Sequence, residues 1–437
     1  MAETVVVRGG SLLDVASGQM RPERTILIDK DRIRAIGTPE HPITIPDGAH
    51  VIEAQGKYVI PGLIDGHVHL VHHLDFAHVN GGEILPLFLA NGVTTVRCTG
   101  EAIVAQAGVA CYAQSHPDLC PRVFLASPLI DRDPPIHPNS ASPVNDPEKI
   151  PAMVEDMLGW GVTTLKIYAG TGRPVGRRVI EEGHRHGLMV TGHLGAYTAQ
   201  DAVTDGIDCL EHIESVVDFL ISPDPPDTTS RYYSQQRASV DLSNPKAKAL
   251  VTMLADRSVM VCPTLVVFRN MLYLPDLDEI NRHPDHAHLP ARLTSYWNAY
   301  PHRSSLPPDT LEVRRRQIRK YQELTGILHR AGVTLLVGTD TPCPYVPPGF
   351  AIHQELELLV ESGMTPTAAL QAATMHNARA LQQSAELGSI EVGKLADMVI
   401  LTADPTEDIR NTRAIELVIR SGRVCRPARL LDAVPAK

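Results

Sequence analysis

Six residues in this 437-residue chain have the types and spacing to hold metal ions together. His67 and His69 end the stretch Tyr58-Val-Ile-Pro-Gly-Leu-Ile-Asp-Gly-His-Val-His69. Residues i and i+2 of an extended chain share a face, so both imidazoles can grip one ion from a strand end. Farther along stand Lys166 in Thr164-Leu-Lys-Ile-Tyr168, His193 in Val190-Thr-Gly-His-Leu194, His212 in Leu210-Glu-His-Ile213 and Asp340 in Leu336-Val-Gly-Thr-Asp340. Neutral imidazoles and a carboxylate suit a borderline divalent cation such as Zn2+. A lysine is an odd neighbour for a cation. Burial disfavours its ammonium form, and a neutral amine can add carbon dioxide to become a carbamate, an anionic ligand able to bridge two metals. A plain amine, pairing with Asp340 or facing a substrate phosphate, is the alternative, and residue chemistry alone does not separate the two.

Such residues act together only if strands present them at one rim. A repeating pattern supplies the strands: a helical stretch ends in Gly or a small residue and an apolar run follows at once. It occurs at Asn91-Gly-Val-Thr-Thr-Val96, Trp160-Gly-Val-Thr-Thr-Leu165, His186-Gly-Leu-Met-Val190, Asp205-Gly-Ile-Asp-Cys-Leu210, Arg257-Ser-Val-Met-Val261 and Ala331-Gly-Val-Thr-Leu-Leu336. Gly just past a helix and leading into a strand is αβ-loop chemistry. With the opening strand and Arg122–Ile130 this predicts eight strands, near 60–66, 93–99, 122–130, 163–169, 188–194, 209–213, 259–265 and 334–340. Helices between them carry apolar faces: Ala247, Leu250, Val251 and Leu254 share one, Ile318, Tyr321, Leu324 and Leu328 another. The fold class is α/β, a (β/α)8 TIM barrel whose functional residues lie at the C-terminal strand ends. An open doubly wound sheet would follow its first strand with a Gly-rich phosphate loop, and Asp65-Gly-His-Val-His69 is no such loop.

Residues 1–57 read as four short strands (Thr4–Arg8, Arg24–Ile28, Arg32–Ile36 and His50–Glu53), too few for a core of their own. Strand-like runs at 397–401 and 415–420 offer partners. The expected organisation is a small β-sandwich from both termini, residues 1–58 and 389–437, interrupted by a barrel over 59–388. Two insertions, Ser215–Pro245 and Asn270–Pro308, overhang the active face, where a lid or substrate-pocket role is expected. Val266, Val267, Phe268, Tyr232, Tyr233 and Trp297 would give that pocket an apolar lining.

Composition narrows the class. Hydrophobic residues make up 43% and charged residues 21%, as in ordinary globular chains. The net charge is −10, and the one basic cluster, Arg314-Arg315-Arg316, falls in a helical pattern and reads as a solvated face, so nucleic-acid binding is not expected. Seven cysteines without C-x-x-C spacing favour a reducing compartment over a disulfide framework. No apolar run approaches the roughly 20 residues that span a bilayer, and the N-terminus lacks a signal-peptide core. The expectation is a cytoplasmic protein without membrane contact, acting as a homo-oligomer on a small-molecule substrate. Twenty histidines point mildly to metal chemistry.

H-x-H after the first strand, Lys after the fourth, His after the fifth and sixth and Asp after the eighth resemble the amidohydrolase superfamily. Pro61-Gly-Leu-Ile-Asp-Gly-His-Val-His69, Gly388-Ser-Ile-Glu-Val-Gly-Lys-Leu-Ala-Asp397-Met-Val and the terminal β-sandwich share that likeness, which covers essentially the whole chain. Ala202-Val-Thr-Asp-Gly-Ile-Asp-Cys-Leu-Glu-His212 and Met364-Thr-Pro-Thr-Ala-Ala-Leu-Gln-Ala-Ala-Thr374 are similar to the imidazolonepropionase-like metal-dependent hydrolases, related to Xaa-Pro dipeptidases. Those dipeptidases follow their Lys with a longer Gly-Gly-containing loop, whereas Tyr168-Ala-Gly-Thr-Gly172 leads quickly into a helix. The resemblance implies that His67, His69 and Asp340 hold one divalent ion, most simply Zn2+, and His193 and His212 a second. Carbamylated Lys166 and a hydroxide would bridge them, with Asp340 as general base and then acid. Beyond that ligand set, Tyr168, two residues past Lys166 on the same strand face, could hydrogen-bond a tetrahedral oxyanion or pack at the rim, and His137, in the Pro-rich loop after strand three, is a candidate substrate contact. The implied reaction is hydrolysis of an amide C–N bond in a small molecule such as an N-acyl amino acid, dipeptide or xenobiotic amide. Hydrolysis of a carbamate, urea or cyclic amide is the alternative. Deaminases of the superfamily tend to carry a Glu shortly after the strand-five His, and here the chain reads His193-Leu-Gly-Ala-Tyr197. Some relatives are non-catalytic scaffolds that have lost ligands, but all six positions are filled here.

Overall fold

The structure, a computed structural model, describes residues 4–221, 231–270, 282–299 and 308–434. The helix–Gly–strand repeat is present as expected. Gly92, Gly161, Gly187, Gly206 and Gly332 take φ of 76°, 81°, 68°, 100° and 82°, the left-handed turn that reverses a helix into a strand and that a Cβ disfavours. Ser258 makes the same turn at φ 54°.

Numbered along the chain, β1 (Val5–Asp14), β2 (Gln19–Asp29), β3 (Arg32–Gly37), β4 (His50–Glu53) and β5 (Tyr58–Pro61) precede the barrel. The barrel strands are β6 (Leu63–Val68), β7 (Val93–Cys98), β8 (Arg122–Asp131), β10 (Val162–Ile167), β11 (Met189–Gly192), β12 (Cys209–Glu211) and β13 (Met260–Cys262), with β9 (Ala141–Pro143) a short strand beside β8. They pair in parallel in the order β13-β12-β11-β10-β8-β7-β6.

Two expected strands differ. The opening run divides at Gly62: β5 joins the terminal sheet, pairing antiparallel with β14 (Met398–Leu401), and only β6 enters the barrel. The expected eighth strand near 334–340 forms no regular ladder. The segment still closes the barrel by parallel bridges Val261↔Leu335 and Val68↔Thr341. Its hydrogen bonds are diverted: Thr339 and Asp340 both donate N–H to the His67 carbonyl, at 3.2 and 2.8 Å, while the Asp65 carboxylate also accepts from Thr339. Asp340 turns to φ 56° and Pro342 has no N–H, so regular pairing ends there.

The terminal strands form one mixed sheet, ordered β16-β15-β14-β5-β1-β2-β3 with β4 also on β1, where β15 is Ile415–Arg420 and β16 Arg423–Cys425. It encloses its own core, including Val5, Val7, Ile26, Ile28, Met398, Ile400, Leu417 and Ile419. β1 and β2 run to 10 and 11 residues, longer than the short strands expected there. β1 is long enough to pair with β4 at Val5–Arg8 and with β5 at Ser11 and Leu12 along one edge.

Ala247, Leu250, Val251 and Leu254 are buried together, as are Ile318, Tyr321, Leu324 and Leu328, as their spacing requires. Arg315 and Arg316 are exposed. All seven cysteines are free thiols. Among the described residues no helix is long and apolar enough to cross a membrane. The insertion expectations fall partly outside the described structure: residues 222–230, 271–281 and 300–307, and the side chains of Tyr232 and Tyr233, are not described. Trp297 corrects the expected pocket lining. It is 1% exposed, its Nε1 donates to the Pro342 carbonyl at 3.2 Å, and its own carbonyl accepts from Tyr345 Oη at 2.8 Å. It packs the closing segment into place.

Candidate metal centre

Five of the six ligand-type residues lie at the C-terminal end of a barrel strand or just past it, and Asp340 lies in the closing segment. His67 is the fifth residue of β6 and His69 follows the strand; Lys166 is the fifth of β10. His193 follows β11, its N–H donating to Ile167 O at 3.1 Å, and His212 follows β12, its N–H donating to Cys262 O at 2.8 Å. The ladder direction thus carries both imidazoles to the rim. Glycine at 338 permits the closing segment to reach them: a Cβ there would stand 2.5 Å from Cys262 Sγ and 2.6 Å from His67 Cβ.

Asp340 is the hub. Its Oδ1 lies 3.1 Å from His69 Nε2 and 3.4 Å from His67 Nε2, and its Oδ2 3.9 Å from His212 Nδ1. The His67 and His212 rings are 4.7 Å apart and the His212 and His193 rings 4.4 Å. Donor atoms of His67, His212 and Asp340 all fall within 4.8 Å of one another. Asp340 and His212 both hold positive φ, 56° and 62°, backbone strain of the kind that collects at functional sites.

Lys166 is 1% exposed, and its Nζ is buried without a hydrogen-bond partner. Burial pushes its ammonium down from the usual lysine range, and its charge bears on His67, His193 and His212. Burial also pushes His69 down to about 4 and His193 to about 3, and His212 well below the imidazole range. Those three rings are therefore neutral at pH 7, the form that ligates metals. Burial pushes Asp340 up, but His212, His67 and His69 outweigh it and hold the carboxyl well below its ordinary range.

A second set of residues orients the first, and it was not foreseen from sequence. Glu211, fully buried, accepts from His67 Nδ1 at 2.7 Å, Arg97 Nη2 at 2.6 Å and Thr191 Oγ1 at 2.6 Å. Its hold on Nδ1 turns His67 Nε2 toward Asp340, the carboxylate–histidine pairing that fixes a ligand's tautomer. Glu211 pulls the other way from burial and leaves His67 raised. His212 Nδ1 lies 2.8 Å from Thr264 Oγ1. Glu101, fully buried, accepts N–H bonds from Val71 and His72 and sits 3.2 Å from His72 Nδ1. Burial pushes Glu101 up, but His72 outweighs it and the carboxyl falls to about 2. A charged residue inside a short buried strand (Arg97 in β7, Glu211 in β12) is the sequence signal that marks the first two.

The structure brings His137 and Tyr168 together beside the imidazoles. Tyr168 lies 5.1 Å from His193 and 5.4 Å from His137, ring to ring. Burial pushes the Tyr168 phenol up, with Asp340 adding to the effect. Val266 and Val267 are buried in the helix Leu265–Asn270, and Phe268 from the same helix stands 6.4 Å from the His212 ring.

The residues present suit divalent cations. Imidazoles in neutral form and a carboxylate meet at one rim, and the sealed nitrogen of Lys166 there satisfies no partner of its own, an arrangement native interiors avoid.

Residues 58–425 match the amidohydrolase family, and the chain belongs to it, a family of enzymes acting on carbon–nitrogen bonds that generally use divalent metal ions. The imidazolonepropionase of Herpetosiphon aurantiacus is 24% identical over 408 residues, covering 86% of this chain and 84% of that protein. Adenine deaminase 3 of Rhizobium meliloti is 33% identical over 106 residues, a match that spans 24% of this chain and only 17% of the deaminase. Among solved structures, a Bifidobacterium longum protein assigned as a prolidase aligns at a TM-score of 0.70 and 25% identity, over 100% of both chains. Phenylurea hydrolase B aligns at 0.73 and 21% identity, again over 100% of both, and shares the fold.

Proposed function

We propose that the protein is a metal-dependent hydrolase that cleaves the amide C–N bond of a small molecule, such as an N-acyl amino acid, a dipeptide or a xenobiotic amide. The observation that carries this reading is the convergence of His67, His69, His193, His212 and Asp340, beside a buried, unpartnered Lys166 amine whose charge bears on His67, His193 and His212. His67, His69 and Asp340 would hold one ion, and His193 and His212 another, most simply zinc in both cases. Lys166 would join the two sets as a carbamate: its neutral nitrogen bonds to the carbon of carbon dioxide and loses a proton, converting an amine into a bidentate anion. Divalent ions bound there would polarise a carbonyl and lower the pKa of water toward neutrality. The free thiols suit the reducing interior of a cell, the setting proposed for it.

The chain's own residues supply the rest. Asp340, held as a carboxylate, accepts the proton of the attacking water and returns it to the departing amine. An amine leaves poorly unless protonated, so this transfer is what makes amide cleavage feasible. Tyr168, kept protonated by its burial, donates a hydrogen bond to the oxygen of the tetrahedral species. His137, at the rim beside it, orients the substrate, and Phe268 offers an apolar wall.

This reading predicts activity on amides with an apolar or aromatic acyl side in preference to highly charged peptides. A panel pairing aromatic N-acyl amino acids with matched carbamates, ureas and acidic dipeptides, assayed with metal-reconstituted enzyme, tests it. Turnover confined to carbamates or ureas would replace the amide assignment with its alternative, run by the same centre.

A further inference from the structure

Away from the metal centre, a cavity of about 820 Å³ lies between the terminal sheet and the chain that follows the helix Ile103–Ser115. Arg420, at the end of β15, lines it and is 8% exposed. Its Nε is sealed from solvent with no hydrogen-bond partner, and among the described residues no carboxylate forms an ion pair with it. The neighbouring carboxylate, Asp397, is already engaged: Oδ2 accepts from Arg122 Nη1 at 2.7 Å and Oδ1 from the Ser421 N–H at 2.7 Å. Arg423, also at the cavity, is paired with Asp118 at 3.1 Å. With that pair neutral, Lys30 and Arg420 face a single remaining acid, Asp31, so the lining carries an excess of positive charge.

An arginine keeps its proton in proteins, so burying one without a partner is costly unless something outside the chain completes it. Burial, together with the Arg122 charge, pushes the Arg420 guanidinium down against the pull of Asp397, which reflects the same deficit. We propose that this cavity is a binding site for a small anion, held by its carboxylate or phosphate group against the guanidinium of Arg420, with Lys30 as a second contact. With Nε sealed, the anion would meet the two Nη nitrogens, an edge of the planar guanidinium that matches either group with two parallel hydrogen bonds. The site is separate from the catalytic rim: Arg122, its neighbour, begins β8, and the metal-ligand residues sit at the opposite, C-terminal ends of the strands.

Titration calorimetry of the full-length, metal-loaded protein with inorganic phosphate, and separately with succinate, tests the proposal and distinguishes the two anion types. At least one probe is expected to bind saturably, with Arg420→Gln weakening it about tenfold or more. Lys30→Ala, on an exposed turn, is expected to weaken the same probe in the same direction. Without added anion, Arg420→Gln should unfold at a temperature no lower than the wild type, because an unpaired buried charge is gone. The proposal is overturned if neither probe binds, or if binding is untouched by both substitutions and so belongs to the metal centre. It is equally overturned if Arg420→Gln fails to fold or unfolds well below the wild type while Lys30→Ala leaves binding unchanged, since the guanidinium would then be a structural element alone.

Discussion

Asp340→Asn is expected to lower kcat by about 10²–10⁴-fold while leaving the fold intact, the range a positioned general acid–base group contributes. The substitution is nearly isosteric. Asparagine tolerates the left-handed backbone that residue 340 adopts at φ 56°, and the N–H bond to the His67 carbonyl does not involve the side chain. What changes is proton affinity. The carboxylate faces His69 and His67 through Oδ1 and His212 through Oδ2, and an amide in its place neither accepts the water's proton nor delivers one to an amine. Steady-state kinetics beside a thermal melt and a metal assay measure the effect. Near-normal turnover in a folded, metal-loaded variant would remove Asp340 from its assigned role.

Lys166→Ala is expected to cost at least about 100-fold in activity and to lower metal occupancy with it. Partners that merely orient a metal ligand are worth about 10–100-fold, so losing the ligand proposed to be shared by both ions should exceed that. The structure separates this from a general folding defect. Lys166 Nζ makes no hydrogen bond that the fold could lose, so removing the amine sacrifices only the packing of the aliphatic stem. Lys166→Met retains that stem and should match Lys166→Ala in activity and metal content while melting close to the wild type. A Met variant that stays active and fully metal-loaded would show that the lysine nitrogen is not a ligand.

The six candidate ligand positions stood out in the sequence because histidines, a lysine and an aspartate are conspicuous at the ends of apolar strands, and the Gly-led repeat located those ends. The helices were equally legible, since Ala247, Leu250, Val251 and Leu254 obey a helical period that only burial on one side explains. Glu211 and Glu101 escaped notice because each acts through partners distant in the chain. Glu211 meets Arg97 across 114 positions and His67 across 144. The last strand was misread for a local reason: Asp65 takes up the Thr339 N–H, and a left-handed Asp340 turns the chain out of register. Trp297 was misassigned because composition reports that an aromatic is present in an insertion but not which way it packs.

Metal content of the purified protein tests the central claim most directly. Elemental analysis should find about two divalent ions per chain, and prolonged chelation should abolish turnover until a divalent cation is restored. A protein that binds one ion or none, and that keeps its activity through chelation, would contradict the account.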